Sequence, residues 1–328
     1  MTLLIQFDRG EGLALGLLDG DEVRPLDVEG GLYALAQRAV ADGKPLADLV
    51  RGGAGKTSLS YSQLEADRGL LPPILHPDPA RLIASGTGLT HMGSASGRDA
   101  MHKQAAQGET DSARMFRLGL EDGWPAAGEV GAAPEWFYKG DGQSLVAPGG
   151  ALNLPDYAAD GGEEPEIAVI YLIDDQGTPR RIGSALANEY SDHVIEKGNY
   201  LWLAHSKLRQ FSIGPAIRLG DLPQEVDGRC AIHRDGAVAW EKPFESGEAR
   251  MCHSLENIEY HHFKYPAFRR PGDVHVHFLG TATLSFADGF RTQPGDRFEI
   301  SADEYGPALR NTLTASASGY RPGAVRSL

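Results

Sequence analysis

The chain has 328 residues, and its 31 Lys and Arg against 45 Asp and Glu give a formal net charge of −14. That excess excludes nucleic acid and anionic membrane surfaces as partners, because both require a Lys/Arg cluster and the sequence has none. Hydrophobic residues at 41 % and charged residues at 23 % describe a soluble globular protein with a large core, and no apolar run approaches the ~20 residues that span a bilayer.

No basic start leads into an apolar segment and cleavage site, so a cytoplasmic protein is expected. Cys230 and Cys252 are too few for a disulfide framework and match no zinc-type spacing, which predicts buried core thiols. The 41 Gly and 20 Pro point to many turns between short strands.

In chain order, Leu3 to Phe7, Leu13 to Leu18 and Val23 read as strands separated by Gly-containing turns. Leu32, Leu35, Ala36 and Val40 share one face of a predicted helix. These make a small N-terminal lobe over 1–75. The proline-rich stretch from Leu70 to Pro79 is the predicted linker, and residues 76–328 form the second, larger unit. Strand signals dominate there. The clearest is Glu166 to Ile173, which ends at Asp174-Asp175-Gln176-Gly177; Val274 to Phe278 and Phe298 to Ile300 each follow a Pro-Gly-Asp turn.

Two glycine-rich segments mislead. Gly52-Gly53-Ala54-Gly55-Lys56-Thr57 has Val50 where a phosphate loop needs its first glycine, and Ser85-Gly86-Thr87-Gly88 has His91 where a dinucleotide fingerprint needs its third. His275 and His277 alternate with Val274, Val276 and Phe278, so both imidazoles fall on one face of a strand. That is a usable metal geometry, but no HExxH accompanies it, and a partly exposed face of hydrogen-bonded histidines is the expectation.

Glu164 and Glu166 carry the strongest chemistry. On an extended chain, side chains at i and i+2 share a face, so two carboxylates meet at the start of an apolar strand and call for a cation. Oxygen ligands favour Mg²⁺ or Mn²⁺, with Ca²⁺ also within the same chemistry. Glu189, in Ala187-Asn188-Glu189-Tyr190, would complete a three-carboxylate cage.

With Lys207 ahead of Gly214-Pro215, Gly280-Thr281 and the late Pro294-Gly295-Asp296, these segments resemble the fumarylacetoacetate hydrolase superfamily from about residue 80 onward. The resemblance implies an α+β, mainly β protein: a mixed β-roll or β-sandwich catalytic domain with a small N-terminal lobe, forming a homodimer. It implies Glu164, Glu166 and Glu189 as metal ligands, Lys207 as the active-site lysine with His205 as its competitor, and Thr281 as a substrate contact. Lys139, in Trp136-Phe137-Tyr138-Lys139, becomes a pocket cation beside core aromatics. The segment 88–102 looks closer to the branch acting on 2-keto-3-deoxy sugar acids, with Thr90, Ser94, Ser96 and Arg98 as substrate contacts. The implied activity is divalent-metal-dependent dehydration of a small 2-oxo acid, a 2-keto-3-deoxy pentonate, to an α-ketoglutarate semialdehyde type product. His91 and His102, either of which would activate water, keep open hydrolysis of a C–C bond in a 2,4-diketo acid with release of pyruvate. A non-catalytic metal- or ligand-binding protein of the same fold is the third reading.

Overall fold

The apolar run before Asp174 becomes the strand Pro165–Ile173, whose nine residues are all buried. Both of its faces are covered, which explains why it reads as a continuous hydrophobic run rather than as an alternation. Asp174 closes the turn that follows, its Oδ1 accepting the N–H groups of Gln176 at 2.9 Å and Thr178 at 2.8 Å. The chain then returns antiparallel as Pro179–Asn188, while Val274–Phe278 pairs antiparallel on the other side.

The computed structural model describes residues 1–10, 12–53, 55, 57–92 and 110–328. Among these, the fold is mainly β, in two mixed sheets with short helices between strands. In the larger sheet, the Pro179–Asn188 side continues through Phe211–Leu219, Leu3–Asp8, Leu13–Asp19, Glu22–Pro25 and Leu59–Ser60. The other side continues from Val274–Phe278 to a parallel neighbour, Leu82–Gly88, and then to the edge strand Glu135–Asp141. The second sheet runs Ala237–Ser246, Val226–Arg234, Arg297–Ala302, Leu309–Ser316 and Ala151–Pro155.

Alternation along Pro165–Ile173 divides the core. Ala168, Ile170 and Leu172 pack with Leu4, Leu15, Leu32 and Leu35, whereas Ile167, Val169 and Tyr171 pack with Cys230, Ile300 and Leu309 of the second sheet. The predicted first helix is present as Gly31–Asp42 and ends at Gly43, whose φ of 62° lets its N–H reach the carbonyls of Ala39 and Val40.

Sheet and core run without a break across the 75/76 boundary. Leu4 pairs with Ile217, and Gln6 accepts the N–H of Leu32 while donating to the carbonyl of Pro72. The expected linker begins as a short strand, Leu70–Leu71, on Gln6 and Phe7. Its pairing stops where Pro72 and Pro73 have no N–H to give.

Two expectations need correction. Trp136 and Tyr138 are exposed rather than core, because they lie on an edge strand whose alternate residues, Phe137 and Lys139, point inward. His275 and His277 are not partly exposed: their strand has neighbours on both sides, and both imidazoles are buried. Cys230 and Cys252 are buried free thiols as expected. No described helix is long and apolar enough to cross a membrane.

Candidate metal centre

Strand register assembles the carboxylates. Pro165 pairs with Asn188 and Glu166 with Ala187, so Glu189, one residue past the end of its strand, arrives beside Glu164. Its N–H donates to the Glu164 carbonyl at 3.1 Å. Glu164, Glu166 and Glu189 are buried, and one oxygen from each lies within 4.8 Å of the others. Among the described residues this is the only such convergence of three His, Cys, Asp or Glu ligands.

Three cationic groups face two of the three carboxylates. Lys207 Nζ donates to Glu164 Oε1 and, at 2.8 Å, to Glu189 Oε2. Lys139 Nζ stands 3.0 Å from Glu189 Oε1 and also donates to the Tyr190 carbonyl. His193 Nε2 lies 3.2 Å from Glu164 Oε1, and its Nδ1 lies 3.5 Å from Oδ2 of Asp160.

These contacts set opposite proton affinities. Burial favours the neutral form of Glu164, but Lys207 and His193 outweigh it and hold the carboxyl well below its usual range. Burial, reinforced by the charges of Glu189 and Glu164, pushes Glu166 well above that range. Glu189 is also raised, by burial and Glu164 against the two lysines. Burial lowers Lys139, whereas for Lys207 burial is outweighed by Glu164 and Glu189, which keep it an ammonium. Burial opposes charge on His193 too, yet Asp160 and Glu164 move it up to about 10.

Among the described residues, Glu166 is the carboxylate of the three with no ion-pair partner; its Oε2 accepts the N–H of Gly280 at 2.7 Å, and its buried Oε1 has no hydrogen-bond partner among them. An orphaned buried carboxylate oxygen is costly, and a hard divalent cation would satisfy it. The donor set is oxygen only, so the residues fit the Mg²⁺ or Mn²⁺ expected from the sequence.

Around this centre, Phe137 lies beneath Lys207, its ring centroid 5.0 Å from Nζ. Thr281 follows Gly280 directly and accepts the N–H of Thr283 on its Oγ1 at 3.1 Å. Thr90 is buried and donates to the Leu279 carbonyl; a Cβ on Gly280 would meet its Oγ1 at 2.8 Å. His91 sits behind Thr90, with Nδ1 3.0 Å from Thr90 Oγ1 and Nε2 3.1 Å from Ser246 Oγ, and burial lowers it to about 4. Both of its nitrogens are engaged, an arrangement that holds Thr90 in place rather than one that takes a proton from water. His205 is exposed, so it is Lys207 that reaches the carboxylates. Ser94, Ser96, Arg98 and His102 lie outside the described residues.

The histidine cluster is separate. His277 meets Ser85 Oγ at 3.0 Å and Thr87 Oγ1 at 2.6 Å, and His262 Nε2 meets His275 Nδ1 at 3.0 Å. Burial holds all three below their ordinary value. Sequence reasoning missed His193, Asp160 and Glu163; the acidic run Glu163-Glu164-Pro165-Glu166 was the only signal for the last, and nothing in the spacing singled out the first two.

No protein-family model and no curated protein sequence matches the chain. Solved structures do. A hexagonal crystal form of 2-keto-3-deoxyarabinonate dehydratase superposes with a TM-score of 0.71 at 19 % identity, covering 96 % of this chain and 100 % of that one. 2-Keto-3-deoxy-D-arabinonate dehydratase complexed with magnesium and 2,5-dioxopentanoate gives 0.70 at 20 % identity over 96 % and 100 %. The 5-carboxymethyl-2-hydroxymuconate delta-isomerase of Mycobacterium smegmatis gives 0.59 at 14 % over 96 % and 100 %. At these identities the likeness is one of fold, and it extends over nearly the whole chain.

Proposed function

We propose that this chain is an enzyme of the fumarylacetoacetate hydrolase superfamily, a divalent-metal-dependent hydro-lyase that dehydrates a 2-keto-3-deoxy sugar acid, most simply a pentonate. The observation that carries this reading is the buried Glu164–Glu166–Glu189 triad with an unpartnered Glu166 oxygen and two lysines inside it. The triad sits in a fold shared with a dehydratase whose structure contains magnesium and 2,5-dioxopentanoate.

Glu164, Glu166 and Glu189 would hold Mg²⁺ or Mn²⁺, which when bound supplies positive charge for the carboxylate and keto oxygens of a 2-oxo acid. In the net reaction a proton leaves C3 and the C4 hydroxyl departs as water; a proton shift from C5 to C3 then leaves an enol across C4 and C5, which becomes the C5 aldehyde as its hydroxyl proton is exchanged for one on C4. Lys207, kept charged by Glu164 and Glu189, acts as a hydrogen-bond donor toward negative charge developing on the substrate rather than as its base. Thr281 binds the substrate carboxylate or keto group, and Lys139 contributes a second amine beside Glu189. In this reading Arg98 grips the acid, Ser94 and Ser96 meet hydroxyls, and His102 remains the candidate for moving a proton.

The hydrolytic alternative needs an imidazole free to activate water. His91 has both nitrogens bonded within the protein, which favours dehydration. Incubating the protein with MgCl₂ and 2-keto-3-deoxy-D-arabinonate decides the matter. An aldehyde acid supports the reading; pyruvate released from a 2,4-diketo acid with no aldehyde from the sugar acid would replace it with hydrolysis.

A further inference from the structure

Glu163 precedes the triad's first glutamate yet takes no part in the triad. Its carboxyl is fully buried and, among the described residues, has no ion-pair partner. A carboxylate is an expensive group to place there, so its contacts show what it contributes. Both go to one residue: the Ser285 N–H donates to Oε1 at 2.8 Å, and the Ser285 hydroxyl donates to Oε2 at 2.8 Å.

Five residues before Ser285 is Gly280, whose N–H is held by Glu166. The segment 280–285 is therefore pinned at both ends by carboxylates three positions apart, Glu166 inside the strand Pro165–Ile173 and Glu163 just ahead of it. Between the pins lie Thr281, Ala282, Thr283 and Leu284, all half-buried, and Thr283 donates its hydroxyl to the Pro243 carbonyl at 2.9 Å. Gly280 has a φ of 81°, so the loop leaves the strand through a backbone turn that other residues rarely adopt.

We propose that Glu163 is a positioning residue: by gripping Ser285 it fixes where Thr281 stands beside the carboxylate triad, and so sets the fit of the 2-oxo acid rather than that of the metal. The part concerning the 2-oxo acid rests on the function proposed above; the clamp itself does not. The division of labour follows from the contacts. Glu166 is shared between loop and triad, so its loss disturbs both. The side-chain hydrogen bonds of Glu163 go to Ser285 alone, so its loss releases the loop that carries Thr281, while Glu164, Glu166 and Glu189 keep their own hydrogen bonds and ion pairs.

Full-length wild type, Glu163→Gln, Ser285→Ala and Ser285→Thr test this in two measurements. Hydrogen–deuterium exchange on metal-free protein should be about tenfold faster over 280–285 in Glu163→Gln and Ser285→Ala, with 165–173 unchanged. Unchanged exchange in the loop overturns the clamp. Calorimetric titration with MgCl₂ and then pyruvate should show Mg²⁺ affinity within about twofold of wild type and pyruvate affinity about tenfold weaker in those two variants. Ser285→Thr, which keeps both donors, should restore both readouts. Equal weakening of Mg²⁺ and pyruvate, or undiminished pyruvate affinity, overturns the assignment. If wild type with Mg²⁺ binds no pyruvate, the proposed function and the substrate half of the proposal fall together, while loop exchange still decides whether Glu163 clamps the loop.

Discussion

Lys139 and Lys207 hold one carboxylate by its two oxygens: Glu189 Oε1 lies 3.0 Å from Lys139 Nζ, and Glu189 Oε2 lies 2.8 Å from Lys207 Nζ. Glu189 thus stands between two buried amines, and its charge favours the protonated form of both against burial. Glu189→Gln removes that charge and should cost about 3–5 kcal/mol of folding stability, measured by urea unfolding in metal-free buffer. A loss under about 1 kcal/mol would mean that Glu164 and the Tyr190 carbonyl are enough for both lysines.

Lys207 serves Glu164 and Glu189 as a counter-charge where a metal would also bind. Lys207→Met leaves those carboxylates short of positive charge, so its melting temperature should fall in chelator. At the same MgCl₂ concentration it should then rise further than that of wild type, by about 1.4 kcal/mol for each tenfold gain in affinity. Equal Mg²⁺-induced shifts in both proteins would show that the lysine and the metal site are uncoupled.

Gly162 leaves room for His193, because a Cβ at Gly162 would collide with Nδ1 and Cε1 of the imidazole. Gly162→Ala should push His193 off Glu164 and weaken Mg²⁺ binding about ten- to hundredfold, although no ligand oxygen is altered. Calorimetry checks the affinity and circular dichroism the fold; wild-type affinity in a folded variant would remove His193 from the support of Glu164.

Burial lowers His262 and His275 to about 3, from an ordinary value of 6.5. Both are neutral in the folded protein near neutrality, whereas in the unfolded chain they gain protons below about pH 6.5. The unfolded state then binds more protons, so the stability these residues contribute is present above pH 6.5 and is lost as pH falls toward 3. Glu163, pushed up to about 7 by burial, works in the opposite direction over part of the same range, so a paired comparison isolates the imidazole. Between pH 7 and pH 5, wild type should lose about 2 kcal/mol more than His262→Phe, read from urea titrations at both pH values. Identical losses would show that His262 is already protonated in the fold.

The triad was legible in the sequence because it depends on strand periodicity. Glu164 and Glu166 share a face by their spacing, and Glu189 stood out by its place in Ala187-Asn188-Glu189-Tyr190; the antiparallel return strand Pro179–Asn188 that brings it to them was not among the predicted strands. His193 and Asp160 were not legible. They lie in loops, and their approach to Glu164 depends on how Gly161, Gly162 and the short helix His193–Gly198 are placed, which no period encodes. Trp136 and Tyr138, and the pair His275 and His277, failed for a related reason, whereas Phe137 is buried as expected. Alternation shows which residues share a face, but only sheet order shows whether a strand is at the edge, as Glu135–Asp141 is, or enclosed, as Val274–Phe278 is.

The pairing of Leu3–Asp8 with Phe211–Leu219 has a practical consequence for anyone who shortens the chain. Removing 1–75 would strip the hydrogen-bonding partners from one side of Phe211–Leu219 and uncover the apolar residues that Leu4, Leu15 and Leu32 now cover. A fragment 76–328 would then carry an open, hydrophobic strand edge ready to recruit the same edge of another copy. In the intact chain the first 75 residues cover that edge, so it is not open to a second copy.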